Sequence, residues 1–420
     1  MFVHTVQSGD SLFSISRKYG YPVDSIRSVN GLEETNIVPG QALLIPLNEY
    51  TVQPNDTYAV IAGKAYVPQM QLMQANPDIP PNRLRAGMKV KIPDISNYLA
   101  GTLQFYVIRT PEADRELIND FAPYSSAISL FEYHFGPNGD IINDLNDRTA
   151  IETTWQNRVR PLAVITNLTE GGFSPELAHQ VLQNPTARTN LVNNIVSLTV
   201  RKGYGGVNID FERVREADRD LFTGFLRQLK TRLSEHQLAL TISVPAKTSD
   251  AVPWLRGYDY GGIGAVVDYM FIMAYDWHHA GSEPGPVAPL TEVRQTINFA
   301  ISRVPRRKVI LGVPLYGYDW VIPYRPGTIG SAISNQRAME TAMKHQSVIR
   351  YSQQERSPYF RYTDENGRTH EVWFEDVRSM SEKMVLVREF GLQAIGAWQL
   401  TLGFKPGPWL LRNFFTIRKI

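Results

Sequence analysis

Cysteine is absent from all 420 residues, which excludes disulfide staples, thiol catalysis and thiolate-held metals. An excess of charge is lacking too: 43 Lys and Arg stand against 41 Asp and Glu. No strong field is therefore available to hold nucleic acid by phosphate neutralisation, and a neutral polymer is the better-suited partner. No run of about 18 apolar residues occurs, so no membrane span is expected. The start, Met1-Phe2-Val3-His4, has no basic segment followed by an apolar one, and a secretory signal is not expected either. Glycine-rich phosphate loops are missing, so no nucleotide cofactor is expected. The adjacent His278 and His279 would point to opposite faces of a strand, and no acid–histidine set has ligand spacing, so no metal is expected.

What is present is organised. The hydrophobic fraction of 43% suffices for a large core, and the length allows two or three domains. Val6-Gln7-Ser8-Gly9-Asp10-Ser11-Leu12 returns as Val52-Gln53-Pro54-Asn55-Asp56-Thr57-Tyr58, Asn30 returns as Asn76, and Leu43-Leu44-Ile45-Pro46 as Val90-Lys91-Ile92-Pro93. Each copy reads as a strand, a turn, two short helices and a closing strand before proline, which gives two modules over 1–47 and 48–95. They resemble LysM modules, units associated with polymers of N-acetylglucosamine such as peptidoglycan and chitin. The resemblance implies ligand-facing loops at Gly9, Asp10, Ser11 and Leu12 and around Ile37 in copy one, and at Asn55, Asp56, Thr57 and Tyr58 and around Leu84 in copy two. Asn55 replaces the glycine, which its tolerance of left-handed backbone permits. Asn30 and Asn76 read as turn formers.

From about residue 100 the pattern becomes short apolar runs separated by helical stretches. Eight runs are expected to be strands: Leu103–Ile108, Ala127–Tyr133, Pro161–Thr166, Gly206–Glu212, Leu238–Val244, Val267–Tyr275, Lys308–Pro314 and Gln393–Gln399. Eight strands with intervening helices predict an α/β fold of the (β/α)8 TIM-barrel type over 100–420, with a doubly wound sheet as the alternative. Ser174-Pro175-Glu176 has the cap, the proline and the early acid of a helix start. The stretch 317–392 exceeds a crossover. Its alternating Tyr359–Thr363 and Glu371–Phe374, around the turn Asp364-Glu365-Asn366-Gly367, predict a hairpin within a small α+β insertion, followed by a helix from near Ser379.

The segment Gly205-Gly206-Val207-Asn208-Ile209-Asp210-Phe211-Glu212 says most about chemistry. On a strand, Val207, Ile209 and Phe211 share one face, while Asn208, Asp210 and Glu212 share the other. The chain leaves that face at the C-terminal end of a barrel strand, where barrel enzymes place catalysis. The plain alternative is a buried strand whose last acids are merely hydrated.

The segment is similar to the fourth-strand signature of family-18 glycoside hydrolases, the chitinase-like enzymes, read Asp-x-x-Asp-x-Asp-x-Glu. Gly205 and Asn208 stand where that pattern has its first two acids, and Asp210 and Glu212 match the others. The resemblance extends to Met273-Ala274-Tyr275-Asp276-Trp277, whose Met273, Tyr275 and Trp277 would share a face. It extends also to Gly312–Gly317 with Tyr316, and to Gly396-Ala397-Trp398-Gln399. It implies Glu212 as proton donor, with Asp210 roughly 7 Å along the strand accepting the substrate's acetamido N–H. It implies Tyr275 as donor to the acetamido carbonyl, Trp398 as the sugar's floor, and Asn208, Met273, Asp276, Tyr316 and Gln399 as further substrate contacts. Because Asn208 is neutral, Asp210 is expected to stay ionised over a wide acidic range.

Two LysM-like modules ahead of such a barrel resemble the spore cortex-lytic N-acetylglucosaminidases of spore-forming bacilli. That implies a monomeric, spore-associated glycosidase that cleaves after N-acetylglucosamine in peptidoglycan, by a retaining mechanism in which the substrate assists. A chitinase, or a glycan-binding or spore-coat protein that has kept the barrel without the chemistry, is the alternative.

Overall fold

The protein is described by a computed structural model covering residues 1–419. Strands one to eight of the barrel are Tyr98–Val107, Ala127–His134, Arg160–Thr166, Gly206–Asp210, Ala239–Pro245, Tyr269–Met273, Val309–Pro314 and Ala394–Trp398. All neighbours are parallel, and strand eight closes the sheet on strand one, with Ala394 opposite Gly101. A TIM barrel is therefore formed, not a doubly wound sheet. Its interior is filled by Leu103, Phe105, Leu162, Val164, Phe271 and Ile310, while residues such as Val207, Ile209 and Leu240 pack outward under the helices. This two-sided burial explains why the strands read as nearly continuous apolar runs.

Local signals act as read. Ser174 accepts from the Leu177 amide at 3.1 Å and caps the helix Pro175–Gln183. The insertion is a five-stranded antiparallel sheet carrying the helix Asn335–Lys344, and its hairpin pairs Thr363 with Thr369 across the Asp364–Gly367 turn. The helix after it starts at Val377, capped by Asp376, two residues before the expected Ser379. Of the described residues, none belongs to a helix long and apolar enough to cross a membrane.

Each module is a βααβ unit: Phe2–Thr5, Leu12–Tyr19, Val23–Asn30 and Ala42–Ile45, then Glu49–Thr51, Tyr58–Ala65, Gln69–Gln74 and Lys89–Lys91. Asn30 is buried and splices helix to strand, donating to the Ile26 and Leu44 carbonyls and accepting from the Leu44 amide; Asn76 repeats this in copy two. The modules stack through Phe2 and Tyr50, whose ring centroids lie 4.5 Å apart.

Module one is docked on the barrel domain. Val38, beside Ile37 in its second loop, is buried with Ile349, Phe360 and Phe374 of the insertion. The Ile349 amide donates to the Pro39 carbonyl at 2.9 Å, and Arg378 donates to the Gly40 carbonyl at 3.1 Å. Module two leaves its corresponding loops, around Asn55 and Arg83, at the surface.

Candidate active site

Strand four delivers the acids, though not as one continuous strand. It ends at Asp210, and Arg213 takes a left-handed φ of 58°, so Glu212 lies in the loop beyond the strand rather than on its alternating face. Two side chains distant in sequence hold that loop. The buried Asn167, just past strand three, accepts from the Glu212 amide and donates to the Glu212 carbonyl, both at 2.9 Å. Tyr258 donates to the Phe211 carbonyl at 2.8 Å. Strand six likewise ends at Met273, and Asp276 has a φ of 64°, so Met273, Tyr275 and Trp277 do not share a strand face as expected. All three still line the cleft.

That cleft has a volume of about 940 Å³ and is lined by Glu212, Met273, Tyr275, Asp276 and Trp277, with Trp254 three-quarters exposed at its rim. Asp276 accepts from the hydroxyls of Tyr316 at 2.7 Å and Tyr318 at 3.2 Å, which fixes its carboxylate near Glu212. Trp398 is wedged against Phe105 and edge-on to Phe131, with centroids 5.4 and 4.7 Å away. Gln399 turns back to accept from the Thr401 amide at 2.8 Å. Asn208 is fully buried below the cleft. It donates to Thr241 and accepts from Ser243, both at 2.9 Å, which ties strand four to strand five.

Electrostatics separate the carboxyls. Glu212 is half-buried, and desolvation first, then the charge of Asp276, push its pKa up to about 7, against a smaller opposing pull from Arg213. Such a group still carries its proton near neutral pH and can donate it. Asp210 is 3% exposed. Burial, then Glu212, then Glu132 push it well above the usual carboxylate range. The expected wide acidic range of ionised Asp210 is thereby overturned: a neutral neighbour at 208 does not decide its charge when desolvation and two other carboxyls do. The Tyr275 hydroxyl is pushed further up by burial and by Asp210, so it remains a hydrogen-bond donor.

In the modules, Asp10 accepts from the Gln7 amide at 2.8 Å and contacts His4 at 2.9 Å, while Asp56 accepts from the Gln53 amide and the Tyr50 hydroxyl. Ser11 and Thr57 cap the following helices. Leu12, Tyr58 and Leu84 are buried in the module cores. Gly9 and Asn55 remain exposed with left-handed backbones.

Glu132, Asn167, Tyr258, Tyr318 and Trp254 escape the sequence reading. Glu132 and Asn167 share one usable signal: Glu132 lies within the last three residues of strand two and Asn167 one residue past strand three, both at the C-terminal side of the barrel.

The fold and its two modules have counterparts among known proteins. The family described as Glycosyl hydrolases family 18 matches residues 140–403, and the LysM domain matches 4–46 and 50–93. The Bacillus subtilis (strain 168) protein YdhD, named as a sporulation-specific glycosylase, is 73% identical over 420 residues, 100% of both chains. The cortical fragment-lytic enzyme of Bacillus anthracis is 32% identical, over 99% of this chain and 98% of that one. The crystal structure of the Bacillus cereus spore cortex-lytic enzyme SleL superposes with a TM-score of 0.89 at 32% identity, covering 99% of each chain.

Proposed function

Since the chain belongs to glycosyl hydrolases family 18 and is a glycosidase with two LysM modules, we propose that it cleaves after N-acetylglucosamine in spore-cortex peptidoglycan or its fragments. The reaction is retaining and substrate-assisted. One observation carries this reading: Glu212 and Tyr275 line one cleft, and the buried Asp210 ends strand four two residues before Glu212, so that with an assisting substrate no second carboxylate nucleophile is needed.

Glu212 gives its proton to the glycosidic oxygen as the bond to the anomeric carbon breaks. The substrate's acetamido oxygen attacks that carbon from the opposite side and forms a cyclic oxazolinium ion. Asp210 accepts the acetamido N–H and balances the growing positive charge, while Tyr275 orients the carbonyl. Water, deprotonated by the Glu212 carboxylate, then opens the ring with overall retention. The sugar before the cut must carry a free acetamido group. Muramic lactam lacks one, because its nitrogen is tied into a ring, so in cortex the cut follows N-acetylglucosamine.

Mass spectrometry of digested cortex tests this directly. New reducing ends should be N-acetylglucosamine, and reducing ends on muramic acid would overturn the assignment. Tyr275→Phe should lower kcat by about tenfold to a hundredfold with little change in KM, because its hydrogen bond strengthens as the acetamido group becomes charged. A change confined to KM would remove Tyr275 from that role.

The LysM modules hold the enzyme to insoluble glycan. A protein lacking residues 1–94 should turn over short soluble fragments yet be retained on insoluble cortex about tenfold less or worse, since avidity through effective concentration is lost. Equal retention of both forms in a pull-down would show that the modules do not target cortex. The sporulation and cortex roles named for its relatives support a spore-associated setting.

A further inference from the structure

Strand two carries an acid that no step above uses. Between Leu130 and Tyr133 the strand holds one residue more than strand three opposite it, since Leu130 pairs with Ala163 and Tyr133 with Ile165. Such a bulge re-aims side chains. Ile128 and Leu130 pack outward under the helices, Phe131 packs inward on Trp398, and Tyr133 faces outward again to donate to Asp147. Glu132 falls inside the bulge, and its carboxyl comes close enough to Asp210 for its charge to act there. His134, next along on the inner side, pairs with Thr166, which in turn pairs with Asp210, so the end of strand two is level with Asp210 one strand beyond its neighbour.

Two oxygens at this level lack a protein partner. Glu132 Oε2 and Asp210 Oδ1 are both buried and accept no hydrogen bond. Glu132 Oε1 lies 3.2 Å from His134 Nε2. The other titratable groups around the pair are Glu212 beyond strand four and the hydroxyls of Tyr275 and Tyr258, with Asp276 behind Glu212. Strands one and three, on either side of Glu132, present the apolar Phe105 and Val164 inward. A half-buried and a fully buried carboxyl, each with a free buried oxygen in an apolar frame, cannot both be ionised cheaply, so one proton between them is the low-energy arrangement.

We infer that Glu132 is a positioning residue that shares one proton with Asp210 and takes it when the acetamido N–H arrives. Breaking the Asp210 O–H and making the Glu132 O–H leaves Asp210 as the carboxylate that faces the oxazolinium ion. Glu132 thereby supplies, from strand two, the second carboxyl that position 208 lacks on strand four. This rests on the proposed role of Asp210. Burial and the Glu132 charge both push the Asp210 carboxyl up, in keeping with that arrangement.

The experiment compares kcat and KM against pH, on a soluble cortical fragment, for the wild type, Glu132→Gln, Glu132→Asp and Glu212→Gln. A proton held between the two carboxyls stabilises the singly ionised pair, and Gln offers only a weaker amide donor in its place, so the acidic limb of Glu132→Gln should move to higher pH by about one unit, with KM within about twofold. Glu132→Asp keeps an acid but draws it back by one methylene. It should shift the limb in the same direction by roughly half as much, and it decides the question should the Gln variant fail to fold. A limb that stays in place in the folded variants overturns the inference. Glu212→Gln separates the two ideas: activity retained there sinks the catalytic reading itself, whereas activity lost there with an unmoved limb in the Glu132 variants sinks only the shared proton.

Discussion

Glu212→Gln should reduce kcat by about 10²- to 10⁴-fold or more while the protein still folds and binds glycan. Gln keeps the shape of the side chain and the backbone clamp from Asn167, which uses only the Glu212 amide and carbonyl. What it removes is the transferable proton. The pH dependence gives the same role a second, independent check. A carboxyl raised to about 7 is protonated below that pH and ionised above it. Turnover that depends on the protonated form is therefore present on the acidic side and lost as pH rises through about 7. Wild-type kcat/KM should show this alkaline limb, and the residual activity of the Gln variant should not. Near-normal turnover in Glu212→Gln, or the same limb persisting in it, would take Glu212 out of the reaction.

Gly40→Val should undock module one from the barrel domain. Gly40 has a φ of +82°, and a Cβ there would lie 1.7 Å from the Ile349 carbonyl oxygen, a backbone atom that cannot swing aside. The same backbone stretch carries the Ile349–Pro39 and Arg378–Gly40 hydrogen bonds and brings Val38 against Phe360. Left-handed strain alone costs about 1–2 kcal/mol, and losing the docked contacts as well should bring the total to about 3–5 kcal/mol. Gly9→Val separates the two contributions, since Gly9 has a φ of +89° but open space around its Cβ position. Thermal melting should show the larger loss for Gly40→Val, and hydrogen exchange should show the Ile349 amide losing protection in that variant alone. Equal losses in the two variants would mean that docking adds nothing measurable to stability.

That interface bears on how the modules act. The sequence repeat presents two equivalent units, each with two loops free for glycan. In the folded protein the second loop of module one is covered at Val38, while both loops of module two stay at the surface. The repeat could not distinguish them, because what covers Val38 is contributed by residues some 300 positions later.

The amino-acid sequence by itself determined the eight strands, the closed parallel barrel, the hairpin of the insertion, the tandem modules and the identity of the two leading acids. Each of these rests on local periodicity, on turn and cap chemistry or on direct repetition, and such signals survive in a linear string. Only the tertiary structure decided which side chains meet and in what state. Alternation along strand two would place Glu132 outward with Leu130, but a single extra residue breaks that alternation and the Glu132 charge reaches Asp210. Alternation along strand four would carry Glu212 on the strand, whereas a left-handed residue at Arg213 and the Asn167 clamp set it in the loop beyond. The raised proton affinity of Asp210 was the least legible feature. It depends on desolvation and on the charges of Glu212 and Glu132, and the register of strands two and four on the strand between them, not sequence adjacency, brings Glu132 to the level of Asp210.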